Sequence, residues 1–249
     1  MRLRVAALAL ILLAAAVPAR AQVVFDANAT ADCVSATAQT SASCSTLTVG
    51  SGTNRALICQ FVWNVAVSAV SATWDQAGAA QSLALITGAT GTNTVHAELW
   101  GLVVPVSGAK TLSLSWTTSA QVVINCLSYT GVDQTGGATS FPHGTSATGS
   151  ATPTSVTVTS ATNNAVVAAH VMTAGTITAV NNTQTYLDNT PATMSAAGNR
   201  AAGAATVTLT STVSGGPPTW VAVGADVLAA GAAAAPPTRT LFGVGKAGR

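Results

Sequence analysis

Four short runs set what this chain can fold into. "STLTVG" (45–50), "TLSLSW" (111–116), "TSVTVTS" (154–160) and "ATVTLTS" (205–211) alternate hydroxyl with aliphatic residues. A period of two puts the aliphatic side chains on one face of a β-strand and the hydroxyls on the other. Each run therefore reads as a strand with one dry and one wet face. Residues 54–63 ("NRALICQFVW"), 121–130 ("QVVINCLSYT") and 164–172 ("NAVVAAHVM") are apolar at both parities, the pattern of central strands covered on both sides. "TWVAVGADVLA" (219–229) places Val221, Val223, Ala225 and Val227 on one face. Turn-forming clusters such as "GSGTN" and "GVDQTGG" separate the runs. About a dozen short strands at this spacing predict an all-β fold, an antiparallel two-sheet sandwich of jelly-roll or Greek-key type.

The first residues read as an export signal. Arg2 and Arg4 precede an apolar run of 13 residues, Val5 to Val17, then Pro18 and the small-x-small triplet Ala19-Arg20-Ala21. Such a run is short of the roughly 20 residues that a membrane helix needs. The expected organisation is a cleaved signal over 1–21, one β-sandwich domain over 22–229, and an Ala/Gly/Pro linker with a short basic tail over 230–249. No membrane span remains after cleavage, and the expected location is secreted, periplasmic or cell-surface.

Removing the signal takes three of the nine basic residues, leaving 6 against 7 acidic ones and a net charge of 6 − 7 = −1. Arg239, Lys246 and Arg249 lie in the tail, so the body holds only Arg55, Lys110 and Arg200. Three scattered cations make no phosphate-binding surface, and nucleic acid is set aside as a partner. With only 6% charged residues in the chain, solubility must come from hydroxyls and amides.

Four cysteines in an exported chain point to disulfides. Cys33 and Cys44 flank a loop of ten polar or small residues, "VSATAQTSAS", and are expected to pair. Cys59 and Cys126 sit in apolar strands and fit either a bridge between neighbours or two buried thiols. Neither CxxC nor Cys/His spacing is present, so no zinc site or other cofactor is expected.

Candidate chemistry centres on "HAELW". In a strand, His96, Glu98 and Trp100 share one face, and Glu98 is the only glutamate. A glycosidase would pair it with an aspartate, but most of the six aspartates fall in turns or at strand ends, where they serve the backbone. The reading favours a sheet face on which Glu98 meets a cross-strand polar partner, and no catalytic residue is assigned. His96, His143 and His170 are too dispersed for a metal triad, and no G-x-S-x-G elbow occurs. Asp133 in "TGVDQTGG" offers one carboxylate where calcium needs about six to eight oxygens, so it is expected to bond its own turn. Trp116 falls in register with Leu112 and Leu114, and Trp74 with Val70 and Ala72; both read as core. Trp100 and Trp220 share parity with polar residues and are expected on wetter faces, where an aromatic plate suits sugar stacking. The candidate ligand-binding residues are therefore His96, Glu98, Trp100 and Trp220.

A resemblance adds to this. "LTVGSGTNRALICQFVW", "VSAVSATWDQAGAAQSLALI", "HAELWGLVVPVSGAKTLSLSW" and "VVINCLSYTGVDQTGG" together resemble a set of bacterial and phage sandwich modules of uncharacterised function. That set carries "SNR-apolar strand-W…VSSVTWGGQAL", then "AELW" and "GVDQ" motifs. The resemblance runs from about Thr46 to Leu228. It implies a jelly-roll-like sandwich, found alone or beside other extracellular modules, and brings no catalytic residues. The chain departs from the set at "ATWDQAG", where Asp75 and Gln76 replace paired glycines, so a differently shaped loop is expected there.

The functional expectation is a secreted, non-catalytic module for surface binding or adhesion, with an extracellular glycan or surface protein as partner. The alternatives are a structural or assembly module of a cell-surface or phage-derived particle, and a carbohydrate-active enzyme. Scarcity of carboxylates ranks the enzyme last.

Overall fold

The computed structural model describes residues 21–92, 95–190, 193–215 and 219–231. The expected export signal up to residue 20 and the tail beyond residue 231 lie outside them. In chain order the strands are β1 (Val24–Asn28), β2 (Cys33–Cys44), β3 (Thr48–Val49), β4 (Ala56–Trp63), β5 (Ser71–Trp74), β6 (Gln81–Ser82), β7 (Ala84–Thr90), β8 (His96–Val103) and β9 (Gly108–Ala109). They continue as β10 (Leu112–Thr130), one helical turn α1 (Gly137–Ser140), β11 (Thr145–Gly149), β12 (Thr154–Thr159), β13 (Ala165–Thr173), β14 (Thr176–Val180), β15 (Thr183–Asp188), β16 (Ser195–Ala202), β17 (Thr206–Ser214) and β18 (Thr219–Val227). The fold is all-β and antiparallel.

The first sheet runs β6-β5-β10-β4-β8-β7, and β10 is its spine. This 19-residue strand pairs β5 and then β4 along one side, and β2 and then β1 along the other. Its register against β2 shifts between Ser115 and Val122. Such an irregularity bends a strand and raises its twist, and here the sheet curls into a half-barrel. The second sheet, β11-β18-β13-β16-β15, packs face to face on the first. A three-stranded sheet, β12-β17-β14, covers the outer face of the second.

Alternation decides which core each residue enters. In β4, Leu57, Cys59, Phe61 and Trp63 point into the half-barrel beside Trp74, Trp100 and Trp116. Ala56, Ile58 and Val62 point the other way, at the second sheet. In β13, Val167, Ala169 and Val171 meet the first sheet, while Val166, Ala168 and Met172 meet the three-stranded sheet. Every residue of β4 is buried. The runs apolar at both parities are thus central strands covered twice, as their pattern predicts.

A polar seam crosses the space between the two main sheets. Gln60 and Asn125 are fully buried. Asn125 Nδ2 donates to Gln60 Oε1 at 2.8 Å, and Gln60 Nε2 donates to the Ala168 carbonyl on the opposite sheet at 2.6 Å. Thr185 Oγ1 adds a bond to Gln60 Oε1 at 3.1 Å. Gly198 makes this approach possible: a Cβ there would stand 2.4 Å from Thr185 Oγ1 and 2.5 Å from Gln60 Nε2.

Both cysteine pairs are disulfides. Cys33–Cys44 ties the ends of β2 with Cα atoms 5.6 Å apart, as its loop predicts. Cys59–Cys126 joins β4 to β10 at directly opposed positions, with Cα atoms 4.1 Å apart. That resolves the choice left open by the sequence in favour of a cross-strand bridge. The "ATWDQAG" loop turns on Asp75, which adopts φ 53°. Its carboxylate accepts the Ala79 N–H at 3.2 Å and pairs with Lys110 Nζ at 3.1 Å, and both interactions hold its pKa below the usual carboxylate range.

Candidate functional site

The "HAELW" face is enclosed. His96, Glu98 and Trp100 are 8%, 7% and 8% exposed. They form a chain along β8 that Thr90 of neighbouring β7 extends: Thr90 Oγ1 to His96 Nδ1 at 2.7 Å, His96 Nε2 to Glu98 Oε1 at 2.9 Å, and Trp100 Nε1 donating to Glu98 Oε2 at 2.6 Å. The His96 ring lies 5.4 Å from that of Trp63, which in turn meets Trp116 edge-on at 5.9 Å. Among the described residues Glu98 therefore finds its partners two residues away on its own strand and not on a cross-strand neighbour. Directly opposite stand Phe61 and Gly88, which offer no polar side chain.

Trp220 is the second departure from the expected wet faces. It is 7% exposed, and its Nε1 donates to the Ala151 carbonyl at 2.5 Å. Its face of β18 is roofed by Val156 and Val158 of the three-stranded sheet, which would meet a Cβ at Gly224. The curl of the first sheet does the same for Trp100. Neither indole presents a stacking face, and the four sequence candidates are not brought together, since Trp220 lies in a different core.

The remaining titratable groups are held structurally. His170 is fully buried between Thr154 Oγ1 at 2.8 Å and Asn199 Oδ1 at 3.2 Å, and burial lowers its pKa to about 4. Asp133 Oδ1 accepts the Thr135 N–H at 2.9 Å and Ser140 Oγ at 3.1 Å, so it serves its own turn. Asp226 accepts Ser160 Oγ at 2.6 Å and Asn164 Nδ2 at 2.7 Å, with His143 Nδ1 3.7 Å away. Burial raises its pKa against those bonds. Nucleophilic serine chemistry requires the imidazole between serine and carboxylate. Here the carboxylate stands between serine and imidazole, which leaves the serine unactivated.

The open concave surface lies elsewhere. It is a trough of about 650 Å³ on the side of β2, β10 and β5 that faces away from the half-barrel core. Register builds its floor: Ser43, Ser113 and Thr73 stand in one row, and Ser41, Ser115 and Ser71 in the next. The intervening Ala42, Leu114 and Ala72 point into the core. Rows across strands repeat at about 4.8 Å, and residues two apart on a strand at about 6.7 Å. A smaller concavity of about 510 Å³ adjoins it through Gln76 and Ser113 and carries the Asp75–Lys110 pair. The signal for this site was present in the hydroxyl alternation of "SASC", "SATW" and "SLSW". The pairing that merges three wet faces into one grid was not.

Fold and trough together define an all-β sandwich whose open concavity is paved with hydroxyls, in a chain with two disulfides, as suits an oxidising compartment. Among the described residues no helix is long and apolar enough to cross a membrane. Compared with protein-family models, curated proteins and solved structures, the chain matches none.

Proposed function

We propose that this chain is an exported, non-catalytic β-sandwich module that binds an extracellular glycan through the hydroxyl trough. The carrying observation is the two-by-three grid of Ser41, Ser43, Ser71, Thr73, Ser113 and Ser115 in a concavity of about 650 Å³. Ligand sites of that size are usually mostly apolar. A floor of hydroxyls, each both donor and acceptor, instead complements a ligand that is itself rich in hydroxyls. The export pattern at the N-terminus and the resemblance to extracellular modules support the same reading. Engagement of Glu98 by His96 and Trp100 supports the non-catalytic part.

A glycan-array screen of the secreted protein, repeated with Ser113→Tyr, tests this. The tyrosine fills the trough from a partly exposed position at the centre of the grid. Retention on a glycan that Ser113→Tyr abolishes, at unchanged melting temperature, is the expected result. Retention that the substitution leaves intact would move the site elsewhere.

A further inference from the structure

The polar floor of the trough does not stop at its second row. Parity carries it one step further along two strands, from Ser71 and Thr73 to Asp75 and from Ser115 and Ser113 to Thr111. The Asp75 N–H donates to the Thr111 carbonyl at 3.0 Å and so prolongs the β5–β10 ladder by that pair. The adjoining concavity of about 510 Å³, which shares Gln76 and Ser113 with the trough, therefore continues it along the strands. Among the described residues no aromatic side chain lines either concavity.

The polar atoms of this floor are uncommitted. Among the described residues the hydroxyls of Ser41, Ser43, Ser71, Thr73, Ser113 and Ser115 make no hydrogen bond within the protein. Elsewhere on the surface facing hydroxyls do pair, Ser68 with Thr117 at 2.8 Å and Thr157 with Thr208 at 2.9 Å. At the far end Lys110 Nζ meets Asp75 Oδ2 at 3.1 Å, and the same oxygen accepts the Ala79 N–H at 3.2 Å. Capping its own loop thus occupies one carboxylate oxygen. Asp75 Oδ1 has no donor among the described residues, and the ammonium keeps further N–H donors.

An acceptor beside a donor matches two hydroxyls on adjacent ring carbons. One hydroxyl donates to the carboxylate and the other accepts from the ammonium, and both bonds are charge-assisted. The pair has no net charge. Arg55 is held by the Gly52 and Pro105 carbonyls and Arg200 lies over the Phe25 ring, so neither serves an acidic sugar here. We propose that the two concavities form one site for a neutral, linear glycan lying along β5 and β10, with Asp75 and Lys110 seating a vicinal diol of the sugar at its end. This rests on the reading of the trough as a glycan site and specifies the sugar class and the end subsite.

The test measures binding of the mature secreted protein to immobilised xylohexaose, cellohexaose, mannohexaose and an acidic oligogalacturonide, within a wider glycan array. Each is presented before and after periodate, which cleaves vicinal diols. At least one neutral chain should be retained, and periodate should abolish that retention. Lys110→Met leaves the bond from Ala79 to Asp75 in place, and Asp75→Asn keeps the side-chain shape. Each should raise Kd about tenfold or more, as expected for a lost charge-assisted hydrogen bond, and melting curves confirm that both variants are folded. Retention that Ser113→Tyr abolishes while folded Lys110→Met and Asp75→Asn bind as tightly as the parent would overturn the end subsite and leave the trough reading standing. Retention that survives periodate would overturn the diol, and tighter binding of oligogalacturonide would overturn the neutral class. A parent that binds no glycan on the array would overturn the trough reading and the end subsite together.

Discussion

The indole N–H of Trp100 donates to Glu98 Oε2 at 2.6 Å, with both side chains inside the half-barrel core. The contact converts the chain's one glutamate from an available acid or base into an internal acceptor. Trp100→Ala should cost about 3–5 kcal/mol, as expected when a buried aromatic is truncated. Glu98→Gln should leave hydrolysis of polysaccharides at the parent's background. Urea denaturation reads the first and a reducing-sugar assay the second; robust parental activity that Glu98→Gln eliminates would restore the enzyme reading.

His170 makes stability depend on pH. Its folded pKa of about 4 lies below the ordinary 6.5, so the unfolded chain binds a proton that the folded one refuses. Stability from this group is complete above about pH 6.5 and is lost as pH falls toward 4, amounting to about 2–3 kcal/mol by pH 4.5. Paired urea titrations at pH 7 and 4.5, on the parent and on His170→Asn, isolate that slope. The asparagine variant should show a correspondingly smaller acid loss; an unchanged loss would place the sensitivity elsewhere.

Much of the architecture was legible because it depends on local pattern. The doubly apolar runs became β4, the second half of β10, and β13, and the local cysteine pair became a bridge. What sequence could not show is what covers a face. Trp220 shares parity with Asp226 and reads as wet, yet Val156 and Val158, some 60 residues upstream, roof it. Gln60 and Asn125 interrupt apolar runs, and only the packed sheets show that Gln60 bonds both Asn125 beside it and the Ala168 carbonyl of the opposite sheet. Each miss is a long-range pairing, invisible to a period counted along one strand.

The two disulfides should contribute unequally. In the chain-entropy treatment, the 11-residue separation of Cys33–Cys44 is worth about 2–3 kcal/mol and the 67-residue separation of Cys59–Cys126 about 4 kcal/mol. Replacing each pair by alanine and comparing denaturation midpoints measures the difference. Equal losses would show that the unfolded chain keeps structure around β4 and β10.

Gly198 should tolerate no side chain. A methyl group there meets Thr185 Oγ1, Tyr186 and Gln60 Nε2 at 2.4–2.5 Å, so Gly198→Ala must displace side chains of neighbouring β15 as well as the Gln60 amide of the first sheet. A loss of about 1–3 kcal/mol is expected from such overpacking. Thr185→Ala in the same background should recover part of it, and a double variant no more stable than Gly198→Ala would exclude that contact as the cause.

The connectivity of the bridges has a mechanical side. Residues 33–43 of the trough lie within the Cys33–Cys44 loop, and its remaining residues, 71–115, lie within the Cys59–Cys126 loop. If the chain is pulled from its two ends, tension crosses each S–S bond and bypasses the loop it closes. Every residue lining the trough except Cys33 itself is therefore off the load path. A module that holds a surface through this concavity can be stretched while its grip carries none of the strain along the backbone.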